Sequence, residues 1–254
     1  MSEEFKNKLI NLSTKINIEL SDENAEKFYN YMNLLLEWNE KINLTAITEE
    51  DDIILKHFID SLTVLKYIKD GEKIIDVGTG AGFPGIPIAI EKKKCQITLL
   101  DSLNKRILFL EDVANKINLE NVRCIHGRAE DLGQNKQERE KYDISISRAV
   151  ANLSTLVEYL MPFVRIGGKV ICMKGPDCDE EIENAKFAIK ELGGKIAKVD
   201  TLQLPDSDIS RTIIIIEKIK ETPNKYPRKA GLPSKEPLTF NNKNMTNSRQ
   251  KDFR

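Results

Sequence analysis

From Lys73 to Ile219 the chain alternates β-prone apolar runs with helix-like stretches, and the alternation breaks only at its end. Strands are predicted at 73–78, 96–101, 122–127, 142–148 and 169–174, and helices at 86–93, 104–117, 130–139, 153–163 and 179–192. Such alternation marks a parallel sheet covered on both faces, because each parallel crossover needs a helix-length connection. Two more strands, 195–204 and 211–219, follow with only Pro205-Asp206-Ser207-Asp208 as the turn between them. That link is too short for a crossover, so the last two strands are antiparallel neighbours. The class is α/β: a Rossmann-like, mostly parallel seven-stranded sheet ending in an antiparallel hairpin.

The first strand-to-helix turn carries the sharpest motif, Asp76-Val77-Gly78-Thr79-Gly80-Ala81-Gly82-Phe83-Pro84-Gly85. Glycines there permit a tight turn and let a ligand approach the backbone closely. Two ligand classes fit. Gly80-Ala81-Gly82-Phe83-Pro84-Gly85 satisfies the dinucleotide pattern G-x-G-x-x-G, and Asp101 lies 21 residues after Gly80, near the spacing of a ribose-binding carboxylate. An Asp two places before G-x-G-x-G also resembles the first motif of S-adenosylmethionine (SAM)-dependent methyltransferases. The rest of the chain favours SAM, since a dehydrogenase needs a substrate domain after the nucleotide half and too little chain remains for one.

In open α/β sheets the ligand lies beyond the carboxyl ends of the strands. Asp76, Gly78, Gly80, Gly82 and Phe83 are therefore candidate cofactor residues, as is Asp101, whose carboxylate can take both ribose hydroxyls. Ala129 and Glu130 follow the third strand and are placed for the adenine edge. Arg148 ends the fourth strand and is expected to face ligand or substrate, since a buried structural Arg needs a paired carboxylate. Lys174 ends the fifth, where it either contacts a phosphate or sits on the surface.

The region before Lys73, residues 1–70, reads as helical. Ser21 can cap a helix whose apolar positions Ala25, Phe28, Met32, Leu35 and Leu36 recur at helical spacing, continued by Leu34 and Trp38. A second helix opens near Thr48, with Glu49 to Asp52 favourably placed against its dipole. His57, Asp60 and Ser61 invite a catalytic-triad reading, but residues at this spacing on a helix more often brace one another.

The methyltransferase region is taken as 71–220, and a third region as 221–254. Overall the net charge is −1, yet residues 222–254 hold eight basic residues against two acidic, a net of +6 that leaves −7 on the rest. Four of the nine prolines also fall there. A basic, Pro-punctuated segment reads as an extended arm, with Lys225, Arg228, Lys229 and Lys235 as candidate RNA phosphate contacts or as part of a solvated tail. Four scattered cysteines, no metal-ligand spacing, no signal-peptide pattern and no long apolar run point to a reduced, cytoplasmic protein with neither metal nor membrane association.

The chain as a whole resembles the ribosomal RNA small-subunit methyltransferase G family, also called glucose-inhibited division protein B. The resemblance covers about residues 20–238. It runs through Trp38-Asn39, Ile42-Asn43-Leu44-Thr45, Lys56 to Leu62, the Asp76–Gly85 loop, Asp101-Ser102-Leu103-Asn104-Lys105-Arg106 and Gly127-Arg128-Ala129-Glu130. It continues through Ser147-Arg148-Ala149 and Met173-Lys174-Gly175 to Tyr226-Pro227-Arg228-Lys229-Ala230-Gly231-Leu232-Pro233. What it implies is a class I methyltransferase that uses SAM to modify N7 of a guanine in 16S ribosomal RNA, near the decoding centre, on naked RNA or a small-subunit particle. It also implies SAM contacts at Gly78, Phe83, Ala129, Glu130 and Arg148, and a monomer is expected.

Guanine N7 is an unprotonated lone pair, so this chemistry needs no general base, and Arg148 and Lys174 are assigned to substrate positioning rather than proton transfer. Other acceptors leave different marks. Exocyclic amines go with Asn/Asp-Pro-Pro-aromatic, where this chain has Ser147-Arg148-Ala149-Val150, and pyrimidine carbon-5 needs a cysteine that is missing there. A ribose 2′-hydroxyl acceptor would use a lysine, loosely matched by Lys174 with Asp143 and Glu217, although Asp143 starts its strand. A SAM- or RNA-binding module without turnover is a further alternative. The basic arm predicts that Arg228→Ala with Lys229→Ala weakens RNA binding and leaves SAM affinity alone.

Overall fold

The structure, a computed structural model, describes residues 1–148 and 151–240. Ala149 and Val150 of the fourth-strand motif, and the basic residues Lys243, Arg249, Lys251 and Arg254, lie outside the described residues.

Two long helices open the chain. Helix α1 (Glu3–Lys15) starts at Ser2, whose hydroxyl accepts from Phe5 N at 3.1 Å, and buries Phe5, Leu9 and Leu12. Helix α2 (Asp22–Ile42) is capped by Ser21, as its position implied, and ends where Asn43 turns left-handed at φ 48°. Helix α3 (Glu50–Ile53) runs through a π-helical stretch, Ile54–Ile59, into α4 (Asp60–Leu62).

The sheet core then follows: β1 (Lys73–Val77), α5 (Gly85–Glu91), β2 (Gln96–Asp101), α6 (Asn104–Lys116), β3 (Val122–His126), α7 (Ala129–Leu132) and β4 (Tyr142–Ser147). Helix α8 (Leu153–Leu160), β5 (Val164–Lys174), α9 (Asp179–Glu191), β6 (Gly194–Gln203), β7 (Ser210–Lys218) and α10 (Leu232–Lys235) complete it. Strand order is β3-β2-β1-β4-β5-β7-β6, parallel except that β7 runs antiparallel to both neighbours. The expected hairpin is present, with β7 inserted between β5 and β6.

Alternation along the strands divides the core in two. Ile74, Ile97, Leu99, Ile144 and Ile146 pack with the N-terminal helices, α5 and α6, whereas Ile75, Val77, Leu100, Val170 and Cys172 pack with α8 and α9. The order of strand addition reverses between the parallel neighbours β1 and β4, the switch point where a doubly wound sheet leaves a crevice. Two boundaries differ from expectation. The predicted 130–139 helix is the single turn α7, because Gly133 follows it and the chain then runs as turns. Strand β5 begins five residues early, its Gly167-Gly168 pair having concealed a strand that starts at Val164.

Candidate functional site

Asp76 organises the glycine loop. Fully buried at the end of β1, its Oδ2 accepts from Thr79 Oγ1 at 2.6 Å and from Gly85 N at 2.9 Å, so one carboxylate ties both ends of the turn together. Its Oδ1 has no hydrogen-bond partner among the described residues. Burial pushes the Asp76 carboxyl up to about 7, against the opposing pull of Thr79, Gly85 and Arg148.

The loop glycines separate into two roles. Gly78 and Gly80 have φ of 70° and 62°, and a Cβ on either would meet nothing within 4 Å. Their backbone is bare toward open space, as close approach of a ligand requires. Gly82 does not face outward with them. A Cβ there would lie 2.7 Å from Ile86 Cγ1 and 2.8 Å from the Tyr31 hydroxyl, and one on Gly85 would strike Leu99 and Asp76. These two glycines let α5 and α2 pack beneath the loop. Tyr31, fully buried, donates to the Ala81 carbonyl.

Asp101 is more committed than a free ribose ligand. Its Oδ2 accepts from Gly80 N at 2.9 Å and from Arg106 Nη1 at 3.3 Å, its Oδ1 accepts from Leu103 N at 2.9 Å, and only 2% of it is exposed. It holds the loop against β2. Glu130, in α7, spends one oxygen on Gly231 N at 3.0 Å, a bond to the C-terminal arm that the sequence did not suggest.

Arg148 lies between this loop and a neighbouring cleft. It has the partner that a structural reading demands: Nη1 is 3.2 Å from Asp60 Oδ2, and 3.0 Å from the carbonyl of Lys56. Asp60 is shared with Arg211, whose Nε lies 3.0 Å from Oδ2. The guanidinium also sits 4.9 Å from the Phe83 ring centroid. The His57 ring, itself in contact with Arg148, stacks on Phe83 at 4.3 Å and 17°.

The His57 tautomer follows from its neighbours. Arg148 Nη2, which can only donate, is 3.2 Å from Nδ1, so Nδ1 accepts and the proton resides on Nε2, facing Thr45 Oγ1 at 2.9 Å. Burial, then the Arg148 charge, lowers its pKa to about 3. Ser61 Oγ turns away, donating to the His57 carbonyl at 2.5 Å. The residues of the triad reading are thus braces, and His57 is neutral at ordinary pH.

Lys174 is neither exposed nor free. It is 8% exposed, and Nζ meets Glu181 and the Ala151 carbonyl, each at 2.7 Å. With His57, Asp60, Arg148, Met173 and Arg211 it lines a cleft of about 520 Å³ beside the glycine loop. The 2′-hydroxyl set does not assemble. Asp143 binds Lys73 N and Arg165 at the far end of β4, and Glu217 is exposed on β7, next to its last residue.

Of the basic arm, Lys229 and Lys235 are exposed and make no ion pair among the described residues, while Lys225 pairs with Glu191 at 3.0 Å. Arg228 turns inward: its Nε and Nη2 are 2.9 and 2.7 Å from the two oxygens of Glu158, itself 0% exposed. Its charge is spent inside the protein, which removes it from the expected set of phosphate contacts.

A family model described as rRNA small subunit methyltransferase G matches residues 24–211. The chain belongs to this family. Relatives called ribosomal RNA small subunit methyltransferase G include one from Alkaliphilus oremlandii, 55% identical over 88% of this chain and 94% of its own length. Another, from Clostridium tetani, is 53% identical over 85% and 92%. Among solved structures, a SAM-dependent methyltransferase from Aquifex aeolicus shares the fold at 18% identity and a TM-score of 0.50, over 65% of this chain and 93% of that one. Trm5b from Pyrococcus abyssi does so at 16% and 0.51, over 70% and 52%.

Proposed function

We infer that this protein methylates N7 of a guanine in 16S ribosomal RNA with SAM as donor. The carrying observation is the family match, joined to a glycine loop whose bare residues Gly78 and Gly80 open at the switch point between β1 and β4. The residues fit SAM: a buried Asp76 Oδ1, unpartnered among the described residues, and a positive-φ backbone are suited to a ligand carrying an ammonium and a nucleoside. Asp76, Gly78, Gly80, Phe83, Asp101, Ala129, Glu130 and Arg148 would hold it. When bound, SAM supplies an electrophilic methyl group on a sulfonium.

The work of the chain is binding and orientation. Guanine N7 offers a lone pair without losing a proton, so no side chain has to act as base. His57 fits that economy, since both ring nitrogens are occupied by Arg148 and Thr45. The cleft beside Arg148 is large enough for a flipped base, and its lining carries one more basic side chain (Lys56, Arg148, Lys174, Arg211) than carboxylates (Asp60, Asp177, Glu181). Holding the base in line can lower the barrier by up to about 7–11 kcal/mol. Lys229 and Lys235, exposed on the C-terminal arm, supply phosphate contacts. Among the described residues no helix is long and apolar enough to cross a membrane, and we place the protein in the cytoplasm as a monomer acting on RNA or a small-subunit particle.

The test is transfer of labelled methyl from SAM to small-subunit particles, naked 16S RNA, tRNA and DNA, with nucleoside analysis. Label in 7-methylguanosine of ribosomal RNA is the expected result. Label at a ribose hydroxyl, or SAM binding without transfer to any acceptor, overturns the assignment.

A further inference from the structure

Residues 222–238 climb the α7–α8 face from the amino-terminal edge of the sheet to the carboxyl-terminal edge, where the site lies. At the root, Thr222 Oγ1 meets Lys218 Nζ at 2.6 Å and the Leu192 carbonyl at 2.8 Å. Arg139 then donates to the carbonyls of Thr222 and Tyr226, and Gln134 to that of Pro227. Pro227 rests on Gly133, where a Cβ would come within 2.8 Å of its ring. At the top Thr155 Oγ1 donates to the Pro233 carbonyl at 3.1 Å, and Gly231 N to Glu130.

The strongest attachment lies between these ends. Glu158 is the sole charged residue of α8 and is fully buried. Arg228 answers it with three donors, backbone N, Nε and Nη2, and a second Nη2 bond at 2.8 Å ties Glu236 O. A buried carboxylate is tolerated only with such a partner. Helix α7, by contrast, is four residues long and buries none of them. Ala129 and Leu132 are partly buried against the core, and the Glu130 side chain between them is held by the bond from Gly231.

We propose that the arm is part of the cofactor site: the Glu158–Arg228 pair is a positioning anchor that sets Gly231 and, through it, the Glu130 carboxylate. This rests on the reading that Glu130 contacts SAM. One Glu130 oxygen is taken by Gly231 N, and the other, without a hydrogen bond among the described residues, is left for the ligand. The adjacent basic residues thus divide their work, Arg228 acting inward on SAM affinity and Lys229 outward on RNA.

The experiment titrates SAM into full-length wild type, Glu130→Ala, Arg228→Ala, their double variant and Lys229→Ala, and measures RNA binding across salt concentrations. Glu130→Ala and Arg228→Ala should each weaken SAM binding about tenfold. The double variant should lose no more than either alone, as expected for residues acting through one bond. Lys229→Ala should leave SAM affinity unchanged and lower the salt slope of RNA binding, which Arg228→Ala does not move. A folded Arg228→Ala with wild-type SAM affinity, beside a weakened Glu130→Ala, sinks the anchor while the Glu130 reading stands. No effect of Glu130→Ala sinks both. Should Arg228→Ala not fold, amide hydrogen exchange on the wild type decides. Bound SAM is expected to slow exchange in residues 229–234, and unchanged exchange overturns the proposal.

Discussion

Arg211 Nε lies 3.0 Å from Asp60 Oδ2 across 151 residues of sequence, joining the last strand of the sheet to the N-terminal helices. Arg148 approaches the same oxygen at 3.2 Å, and the carboxylate is only 2% exposed. Two guanidiniums therefore depend on one buried carboxylate for neutralisation. Asp60→Asn is expected to destabilise the protein by about 3 kcal/mol or more, since it strands two partly buried cations. Urea unfolding checks it. A loss below about 1 kcal/mol would show that the cluster behaves as an exposed pair.

Asp76 and His57 carry opposite pH signatures. Asp76, raised to about 7, binds a proton in the folded protein that the unfolded chain releases near 4, so its contribution is present below that pH and is lost as pH rises toward 7. His57, lowered to about 3, stays neutral folded but protonates near 6.5 unfolded, so its contribution is lost as pH falls from 6.5 toward 3. Between about pH 4 and 6.5 the two largely cancel. Asp76→Asn should expose the His57 dependence, with stability rising by up to about 1.4 kcal/mol per pH unit through that window. His57→Asn should give the reverse slope. Urea unfolding of both variants at pH 4.5, 5.5 and 6.5 reads this, and parallel, flat profiles would refute it.

Tyr31 joins the helical region to the glycine loop by a hydrogen bond, its hydroxyl donating to Ala81 O in a fully buried setting. Tyr31→Phe leaves that carbonyl without its donor, at a cost of about 1–3 kcal/mol. Because the loop is what loosens, SAM affinity should fall with stability. A variant less stable but unchanged in SAM binding would confine Tyr31 to packing.

The strand–helix alternation, the hairpin and the Ser21 cap were legible because each is a local pattern: period, turn length, a side chain next to the helix it caps. Gly78 and Gly80 were legible because positive φ singles out glycine. What escaped was pairing across long separations. Asp60 was visible in Lys56-His57-Phe58-Ile59-Asp60 but suggested only a local brace with His57, since its partners, Arg148 just after β4 and Arg211 on β7, lie far along the chain. Glu158 in an otherwise uncharged α8 was a usable signal: a carboxylate amid buried apolar residues calls for a cation, and Arg228 was read as a phosphate contact because the segment around it is basic and Pro-punctuated.

The two kinds of loop glycine give the closing prediction. Gly80→Ala places a methyl where nothing lies within 4 Å, at φ 62°, a left-handed conformation that costs a non-glycine residue about 1–2 kcal/mol. Gly82→Ala, at φ 97°, adds to that strain a methyl 2.7 Å from Ile86 and 2.8 Å from Tyr31, which forces α2 or α5 to shift. Overpacking of this sort costs a further ~1–3 kcal/mol. Gly82→Ala should therefore be clearly the less stable protein. Gly80→Ala should lose SAM affinity out of proportion to its stability, because its methyl projects into the space through which the ligand reaches the backbone. Calorimetric SAM titration beside urea unfolding separates the two. If both variants lose affinity and stability in the same ratio, the open side of Gly80 is not the face that meets SAM.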